Sequence, residues 1–236
     1  MACGWRVACD DGPVTRPELI ARAHTPAGDV VLRRRDDGGV AIDELVVNGV
    51  FAMDSFEVTS ELALADAASA KPGESPGRVL VGGLGLGYTA ARLLNNGAEL
   101  VRVVELAEPL VEWALARLTP QLGHVAGDSR TELVVDDIVR AVSDSGGEWD
   151  AILLDVDNGP SFLIHDENAR VYSADFLATC LARLAPGGRL VIWCEQASPD
   201  LEITLRRLTK SVQLIPIPVT REGRSFEYAL YRALAR

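Results

Sequence analysis

A glycine-rich stretch has the residue types and spacing best suited to hold a ligand. It covers residues 77–94, GRVLVGGLGLGYTAARLL, and places Gly83, Gly85 and Gly87 between a short apolar run and a helical pattern. A strand that turns into a helix through glycines lets a ligand approach the backbone at the positive end of the helix. Glu105 ends the next apolar run, VRVVE, where a carboxylate can accept hydrogen bonds from ribose hydroxyls. The pairing predicts a nucleotide or nucleoside site, although tight packing also selects glycines and Glu105 could be a solvated strand end.

The spacing of these glycines limits the classes of ligand that the turn could bind. Gly87 stands where the dinucleotide pattern GxGxxG has a variable residue, and the sequence contains no GK[ST] phosphate loop. A nucleoside without phosphates, such as an S-adenosyl group, therefore suits the turn better than a dinucleotide.

Acidic residues end two further apolar runs. TELVVDD ends with Asp136 and Asp137, and WDAILLDVD ends with Asp155 and Asp157. Carboxylates at the carboxyl ends of parallel strands face the ligand crevice of an α/β sheet. Structural alternatives stay open: the first pair could cap the following helix, and the second could form Asx turns with the Asn-Gly-Pro that follows.

The elements that would position these residues alternate between strand and helix over residues 77–236, with one helix expected from about residue 108 to 118. Alternation predicts an α/β fold, with a mainly parallel sheet and helices on both faces. The last two strand-like runs, VQLIPIPV and RSFEYALYRAL, predict a terminal hairpin.

Three segments precede this nucleoside-binding unit. Residues 1–17 show no sustained periodicity and are interpreted as a flexible tail. Residues 18–56 contain β-rich runs separated by turns and predict a small antiparallel sheet of β-hairpins. The strongest turn signal is Asn48–Gly49, because a type I′ turn needs positive φ at both central positions. Residues 57–76 predict a helix followed by a linker.

Composition limits the classes of partner. The 236 residues are 48% apolar and 24% charged, as in a folded protein, and the formal net charge is −11. This charge argues against nucleic acid as a partner and is compatible with a cationic substrate. No run of eighteen apolar residues and no signal-peptide layout occurs, which predicts a cytoplasmic protein without a membrane partner.

The cysteines indicate no metal site. Cys3, Cys9, Cys180 and Cys194 show neither CxxC pairing nor histidines at zinc spacing. Cys180 and Cys194 fall in apolar runs and are expected to be small core residues.

Four segments match the motifs of one known family. RVLVGGLGLGYTAAR aligns without a gap on a strand-turn-helix motif that carries a GGGDGG-type run, and VRVVELAEPLVEWA is similar to the strand and helix that follow it. VYSADFLATCLARLAPGGRLVIW is similar to an LYSxEFYxxxxxxLxPGG segment, and LVVNGVFAMDSFEVTSELALADAA to a hairpin and helix. Over roughly residues 19–234 the sequence thus resembles the spermidine/spermine synthase family. The resemblance implies a Rossmann-like, methyltransferase-type sheet of seven strands, preceded by a small antiparallel sheet.

The resemblance also implies roles for the candidate residues. The three glycines align with glycines that face the nucleoside and its sulfur-bearing tail, and Glu105 with the ribose-binding acid. Asp137, with Asp136 as the alternative, aligns with the acid that recognises the adenine amino group. Asp155 aligns with the general base of a DxxDP loop, and Asp157 would assist it. A base is needed because a nucleophilic amine must lose a proton.

Three departures from the family pattern concern the aminopropyl group and the polyamine. Leu86 replaces the aspartate of the GGGDGG run, which in the family is linked to binding the aminopropyl amine. Thr59–Ser60 replaces a Tyr-Gln pair, and the DxxDP loop is contracted to residues 155–160. A leucine cannot pair with a cation, and an ammonium buried against it would be unfavourable.

The first hypothesis is therefore a spermidine synthase-like transferase that moves an aminopropyl group from decarboxylated S-adenosylmethionine to an amine, releasing methylthioadenosine. The second is a methyltransferase that uses intact S-adenosylmethionine on an unknown acceptor and releases S-adenosylhomocysteine. The third is a non-catalytic relative that binds an adenosyl metabolite or a partner protein. No tightly bound cofactor is expected, the acceptor is expected to be a small molecule such as a cationic amine, and the resemblance implies a homodimer.

Overall fold

Two β-sheets organise the chain in the computed structural model, which describes residues 17–25, 28–156, 159–160, 163, 166–221 and 223–235. Within these ranges the strands are β1 (Glu18–Thr25), β2 (Gly28–Asp37), β3 (Val40–Val47), β4 (Val50–Asp54), β5 (Arg78–Gly82), β6 (Leu100–Glu105), β7 (Thr131–Val135), β8 (Trp149–Leu154), β9 (Leu184–Cys194), β10 (Val212–Arg221) and β11 (Arg224–Leu234). The α-helices are α1 (Thr59–Asp66), α2 (Tyr88–Asn95), α3 (Glu108–Leu115), α4 (Pro120–Gly127), α5 (Ile138–Asp144), α6 (Ala174–Ala182) and α7 (Pro199–Leu208), and a 3-10 helix covers Asp166–Tyr172.

The first four strands form an antiparallel sheet in the order β1-β2-β3-β4, which confirms the predicted N-terminal sheet. Between β3 and β4, Asn48 and Gly49 have φ angles of 53° and 76°. These left-handed values are those of the predicted type I′ turn. Residues 1–16, most of the predicted tail, lie outside the described part of the chain.

The remaining strands form the main sheet in the order β10-β11-β9-β8-β5-β6-β7, which confirms the predicted seven-stranded, mainly parallel α/β architecture. β5 to β9 run parallel, whereas β10 and β11 form the predicted antiparallel hairpin. The chain order reverses between β5 and β8. Such a switch point opens a crevice at the carboxyl ends of the strands, where α/β proteins bind ligands.

The main sheet is buried on both faces. Val79 and Val81 of β5 contribute to the apolar core on one face, and Leu80 of the same strand contributes to the core on the other. Cys180 and Cys194 belong to this second core and are fully buried, as predicted. Two buried faces explain why these strands are continuous apolar runs, and they hold the strand ends in fixed positions.

Helix α4 was not predicted from the sequence. The pattern predicted one helix over about 108–118, but α3 ends at Leu115 and a second helix follows over Pro120–Gly127. Thr119 caps α4 by accepting a hydrogen bond from the Leu122 amide at 3.1 Å. The Thr-Pro pair is itself a helix-start signal, because proline is favoured at the first helical position.

The small sheet is joined to the main sheet through β4. Arg221, at the end of β10, donates to the buried carboxylate of Asp54 at 3.2 Å. Met53 lies over the glycine turn, where its Sδ accepts a hydrogen bond from the Leu86 amide at 3.3 Å. These contacts place β4 directly beside the carboxyl ends of the central strands.

Candidate functional site

One pocket lies at the carboxyl ends of the central strands, between the main sheet and the small sheet. Six of the sequence-predicted site residues line it together, although they come from four different strand ends: Gly83, Gly85, Glu105, Asp136, Asp137 and Asp155. The small sheet closes one side with Val30, Leu45 and Met53. Tyr88, Thr89 and Trp193 add aromatic and hydroxyl groups to the wall.

Contacts within the protein favour glycine at each of three positions of the turn. Gly83 has φ +97°, and a Cβ there would lie 2.1 Å from the carbonyl oxygen of Asp155. A Cβ on Gly85 would lie 2.7 Å from the Met53 sulfur. The open side of Gly87 faces Val125 of α4, at 3.2 Å, so this glycine packs against a helix rather than against the pocket. The role of all three in ligand binding stays a prediction.

Glu105 holds the glycine turn in place. Its side chain is buried, and its two carboxylate oxygens accept hydrogen bonds of 2.8 Å from the amides of Leu84 and Ala107. Burial raises the pKa of this carboxyl, and the backbone hydrogen bonds oppose that rise. Each carboxylate oxygen has a second lone pair, so Glu105 can still accept a hydrogen bond from a ligand hydroxyl.

Asp136 and Asp137 both line the pocket, and both have protein partners. Asp137 caps α5, as the sequence allowed, by accepting from the amides of Val139 at 2.8 Å and Arg140 at 3.3 Å. Its other oxygen pairs with Arg170 of the 3-10 helix. Asp136 pairs with Arg140 and accepts from the Asp137 amide at 2.6 Å. Both carboxylates therefore have an observed structural role, and adenine recognition would be an additional role for either of them.

Asp155 is a second carboxylate of the pocket whose pKa is raised by its surroundings. Its backbone amide extends the β5–β8 ladder by donating to Gly82 at 2.9 Å, which fixes the side chain beside the glycine turn. The Thr89 hydroxyl donates to Oδ2 at 3.3 Å. Burial and the nearby negative charge of Glu61, with a smaller contribution from Glu105, raise the pKa of Asp155 to about 7. A carboxyl group with this pKa is half ionised at neutral pH and can take up a proton.

Glu61 is a site residue that the sequence reasoning missed. It lies in the first turn of α1 and lines the pocket, and its pKa is raised by burial. The Ser60 hydroxyl donates to its carboxylate at 2.8 Å. Glu61 directly follows the Thr59–Ser60 pair and precedes four apolar residues of the helix. A carboxylate at that position was the available signal.

Leu86 lies in the apolar core, with 1% of its surface exposed, so its side chain points away from solvent. The turn therefore contributes backbone atoms to the pocket. It contributes no carboxylate at position 86, where the spermidine/spermine synthase pattern has an aspartate. Asp157, the predicted assistant of Asp155, lies outside the described residues.

Among the described residues, no group of three or more His, Cys, Asp or Glu side chains is arranged to hold a metal ion. In the same part of the chain, none of the helices has the length and apolarity needed to cross a membrane.

Curated sequences similar to this chain are polyamine aminopropyltransferases. One from Corynebacterium efficiens is 35% identical over 128 residues, which are 52% of this chain and 24% of that protein. Polyamine aminopropyltransferase 2 of Hyperthermus butylicus is 30% identical over 160 residues, 65% of this chain and 50% of that protein. The chain thus spans half or less of the length of these relatives. No protein-family model matches the chain.

Solved structures similar to this one are spermidine synthases. The enzyme from Thermotoga maritima matches with a TM-score of 0.71 and 17% identity, over 93% of this chain and 73% of that chain. A spermidine synthase in complex with the transition-state analogue AdoDATO matches with a TM-score of 0.73 and 17% identity, over 93% of this chain and 74% of that chain. The chain is therefore similar in sequence to polyamine aminopropyltransferases and has the fold of the spermidine synthases.

Proposed function

We propose that this chain transfers an aminopropyl group from decarboxylated S-adenosylmethionine to an amine, using the pocket between the two sheets. The observation on which the proposal rests is Asp155: a carboxylate at the end of β8, beside the glycine turn, with a pKa raised to about 7. The names of the sequence relatives support the same reaction class.

The reaction requires an uncharged amine and a positively charged sulfur in line. The amine nitrogen attacks the methylene carbon bonded to the sulfonium, and the carbon–sulfur bond breaks with its electron pair going to sulfur. The products are methylthioadenosine and a lengthened amine, whose extra proton passes to Asp155. Alignment and proton removal supply the acceleration, and loss of the sulfonium charge favours departure of the thioether.

The donor is proposed to lie across the carboxyl ends of β5, β6 and β7. Gly83 and Gly85 would adjoin its sulfur-bearing part, and Glu105 would accept hydrogen bonds from its ribose. Asp137 or Asp136 would accept from the adenine amino group. Asp157 is proposed to assist Asp155, and the donor is a co-substrate that leaves after each turnover rather than a resident cofactor.

The second candidate is a methyltransferase that uses intact S-adenosylmethionine. Leu86 favours it, because the turn lacks the carboxylate that the family links to the aminopropyl amine. The acidity of the pocket opposes it: intact S-adenosylmethionine carries a carboxylate, which Glu61 and Asp155 would repel. We therefore place aminopropyl transfer first.

Calorimetry with methylthioadenosine, decarboxylated S-adenosylmethionine and intact S-adenosylmethionine tests the assignment. Preference for the decarboxylated donor, with methylthioadenosine released when putrescine is added, supports aminopropyl transfer. Preference for the intact donor supports the methyltransferase. No binding of any of the three overturns both. A homodimer, implied by the family resemblance, is part of the proposal and is tested by sedimentation equilibrium.

A further inference from the structure

Glu61 and Asp155 face one pocket from opposite parts of the structure. Glu61 comes from α1, which follows the small sheet, and Asp155 from the carboxyl end of β8 in the main sheet. They lie close enough for the charge of Glu61 to raise the pKa of Asp155. The mechanism above uses Asp155 as the base and assigns no role to Glu61.

The two carboxylates have no cationic partner among the described ion pairs. The pocket arginine, Arg170, is paired with Asp137, and Arg221, whose charge reaches Glu61, is paired with Asp54. The hydrogen bonds described for these carboxylates come from uncharged groups: the Ser60 hydroxyl and a backbone amide for Glu61, and the Thr89 hydroxyl for Asp155. Two like charges at low solvent exposure repel each other, and a bound cation between them removes that repulsion.

The substrates of the proposed reaction carry the positive charge that would offset this repulsion. Both co-substrates of the proposed reaction carry a primary ammonium, and the glycine turn offers it no carboxylate because Leu86 lies in the core. The aromatic walls formed by Tyr88 and Trp193 are also compatible with a cation, since aromatic faces attract positive charge.

We propose that Glu61 is a specificity-determining residue that binds a substrate's primary ammonium next to Asp155, in place of the carboxylate missing from the glycine turn. This inference rests on the proposed function. The ammonium can belong to the aminopropyl group of the donor or to the acceptor amine, and the experiment distinguishes these two sources.

The test compares the wild type, Glu61→Gln and a control, Glu112→Gln, in which an exposed helical glutamate is changed. Methylthioadenosine, which has no ammonium, should bind all three proteins within about twofold, which shows that Glu61→Gln folds and keeps its nucleoside site. If Glu61 binds the ammonium of the donor, Glu61→Gln lowers the affinity for decarboxylated S-adenosylmethionine by roughly 10- to 100-fold. If it holds the acceptor, donor affinity is unchanged and the KM for putrescine rises by a similar factor.

Unchanged donor affinity together with unchanged putrescine KM in Glu61→Gln overturns the inference and leaves the proposed function standing. A wild type that binds no adenosyl ligand overturns the proposed function, and the inference with it. Equal losses in Glu61→Gln and Glu112→Gln also overturn it, because the effect would then come from net charge.

The pH profile gives a second readout that a purely structural role would not change. Asp155 interacts with Glu61, Glu105 and the Thr89 hydroxyl. The groups that interact with Glu61 are Glu57, Ser60 and Arg221, together with the phenols of Tyr88 and Tyr228. Removing the Glu61 charge lowers the pKa of Asp155, so the acidic limb of kcat/KM moves to lower pH in Glu61→Gln and stays in place in Glu112→Gln. An unmoved limb in Glu61→Gln contradicts the coupling and overturns the inference.

Discussion

At the scale of single residues, burial gives one carboxylate two opposite consequences. The environment of Asp155 raises its pKa from 3.8 to about 7. For catalysis this is favourable, because a base is most effective when its pKa is close to the working pH. For stability it is unfavourable, because above pH 7 the folded chain must hold an ionised group that the unfolded chain holds in water.

Asp155→Asn is expected to lower kcat by roughly 10²- to 10⁴-fold, because the base is lost. The same change is expected to stabilise the protein. The folded-state pKa is raised, so wild-type stability falls as pH rises from about 4 to about 7, and asparagine removes that fall. At pH 8 the Tm of the variant should exceed that of the wild type by roughly 2–8 °C, and at pH 4 the two should agree. Calorimetric melts at both pH values check this, and a lower Tm at pH 8 contradicts it.

For Asp128 we expect the opposite dependence of stability on pH. Hydrogen bonds from the Arg130 side chain and amide lower the pKa of this carboxyl to about 2. A lowered folded-state pKa stabilises the protein above the unfolded-state pKa, and the effect is lost as pH falls towards 2. Asp128→Asn should therefore lower the Tm at pH 7, by a difference that shrinks in more acidic buffers, without changing kcat. A Tm difference that grows as the pH falls would contradict the assignment.

At the scale of elements, the turn between β5 and α2 is held by tight contacts between backbones. Gly83 has a left-handed φ, and a carbonyl oxygen lies where its Cβ would be. Each of these two features by itself disfavours a residue with a side chain. Glu105 bonds the next amide of the same turn, that of Leu84. The turn is therefore positioned by the ends of β6 and β8.

Gly83→Ala should destabilise the protein and lower kcat, because a Cβ would push the Asp155 backbone out of place. Gly97→Ala is the matched control: Gly97 also has a positive φ, +81°, but no atom lies within 4 Å of the added Cβ. The control measures the cost of the backbone conformation, about 1 kcal/mol. Urea unfolding should show a larger loss for Gly83→Ala than for Gly97→Ala. Equal losses would mean that the contact with Asp155 is unimportant.

At the scale of the whole molecule, an acidic chain folds around an acidic pocket. The net charge is −11, and the carboxylates Glu61, Glu105, Asp136, Asp137 and Asp155 line the site. A field of this sign concentrates cations at the pocket mouth, and dissolved salt weakens it.

Salt should therefore affect the cationic substrate selectively. As NaCl is raised from about 0.05 M to about 0.5 M, the Debye length falls from roughly 14 Å to roughly 4 Å. The KM for putrescine is expected to rise several-fold, while the affinity for uncharged methylthioadenosine stays constant. Steady-state kinetics and calorimetry at the two salt concentrations check the pair of expectations. A putrescine KM that does not respond to salt would argue against electrostatic attraction of the acceptor.

Local pattern in the sequence was sufficient for most of the fold. Apolar runs alternating with helical periodicity predicted the main sheet, Asn48–Gly49 predicted a hairpin turn, and acidic residues after apolar runs predicted the pocket wall. These predictions succeed because strand ends and turns depend on neighbouring residues. The same locality explains the omission of α4, whose start signal, Thr119–Pro120, was short and lay beside a stronger helical pattern.

Tertiary structure alone decided which groups face one another. Only the folded chain brings Glu61 to Asp155, points Leu86 into the core and gives Asp137 an arginine from a 3-10 helix thirty-three residues later. The physical reason is that charge, burial and pairing depend on distance in space, whereas residue spacing reports only distance along the chain. The sequence thus determined that this protein has an acidic crevice beside a glycine turn, and the packing of two sheets determined which of its carboxylates have no cationic partner among the described residues.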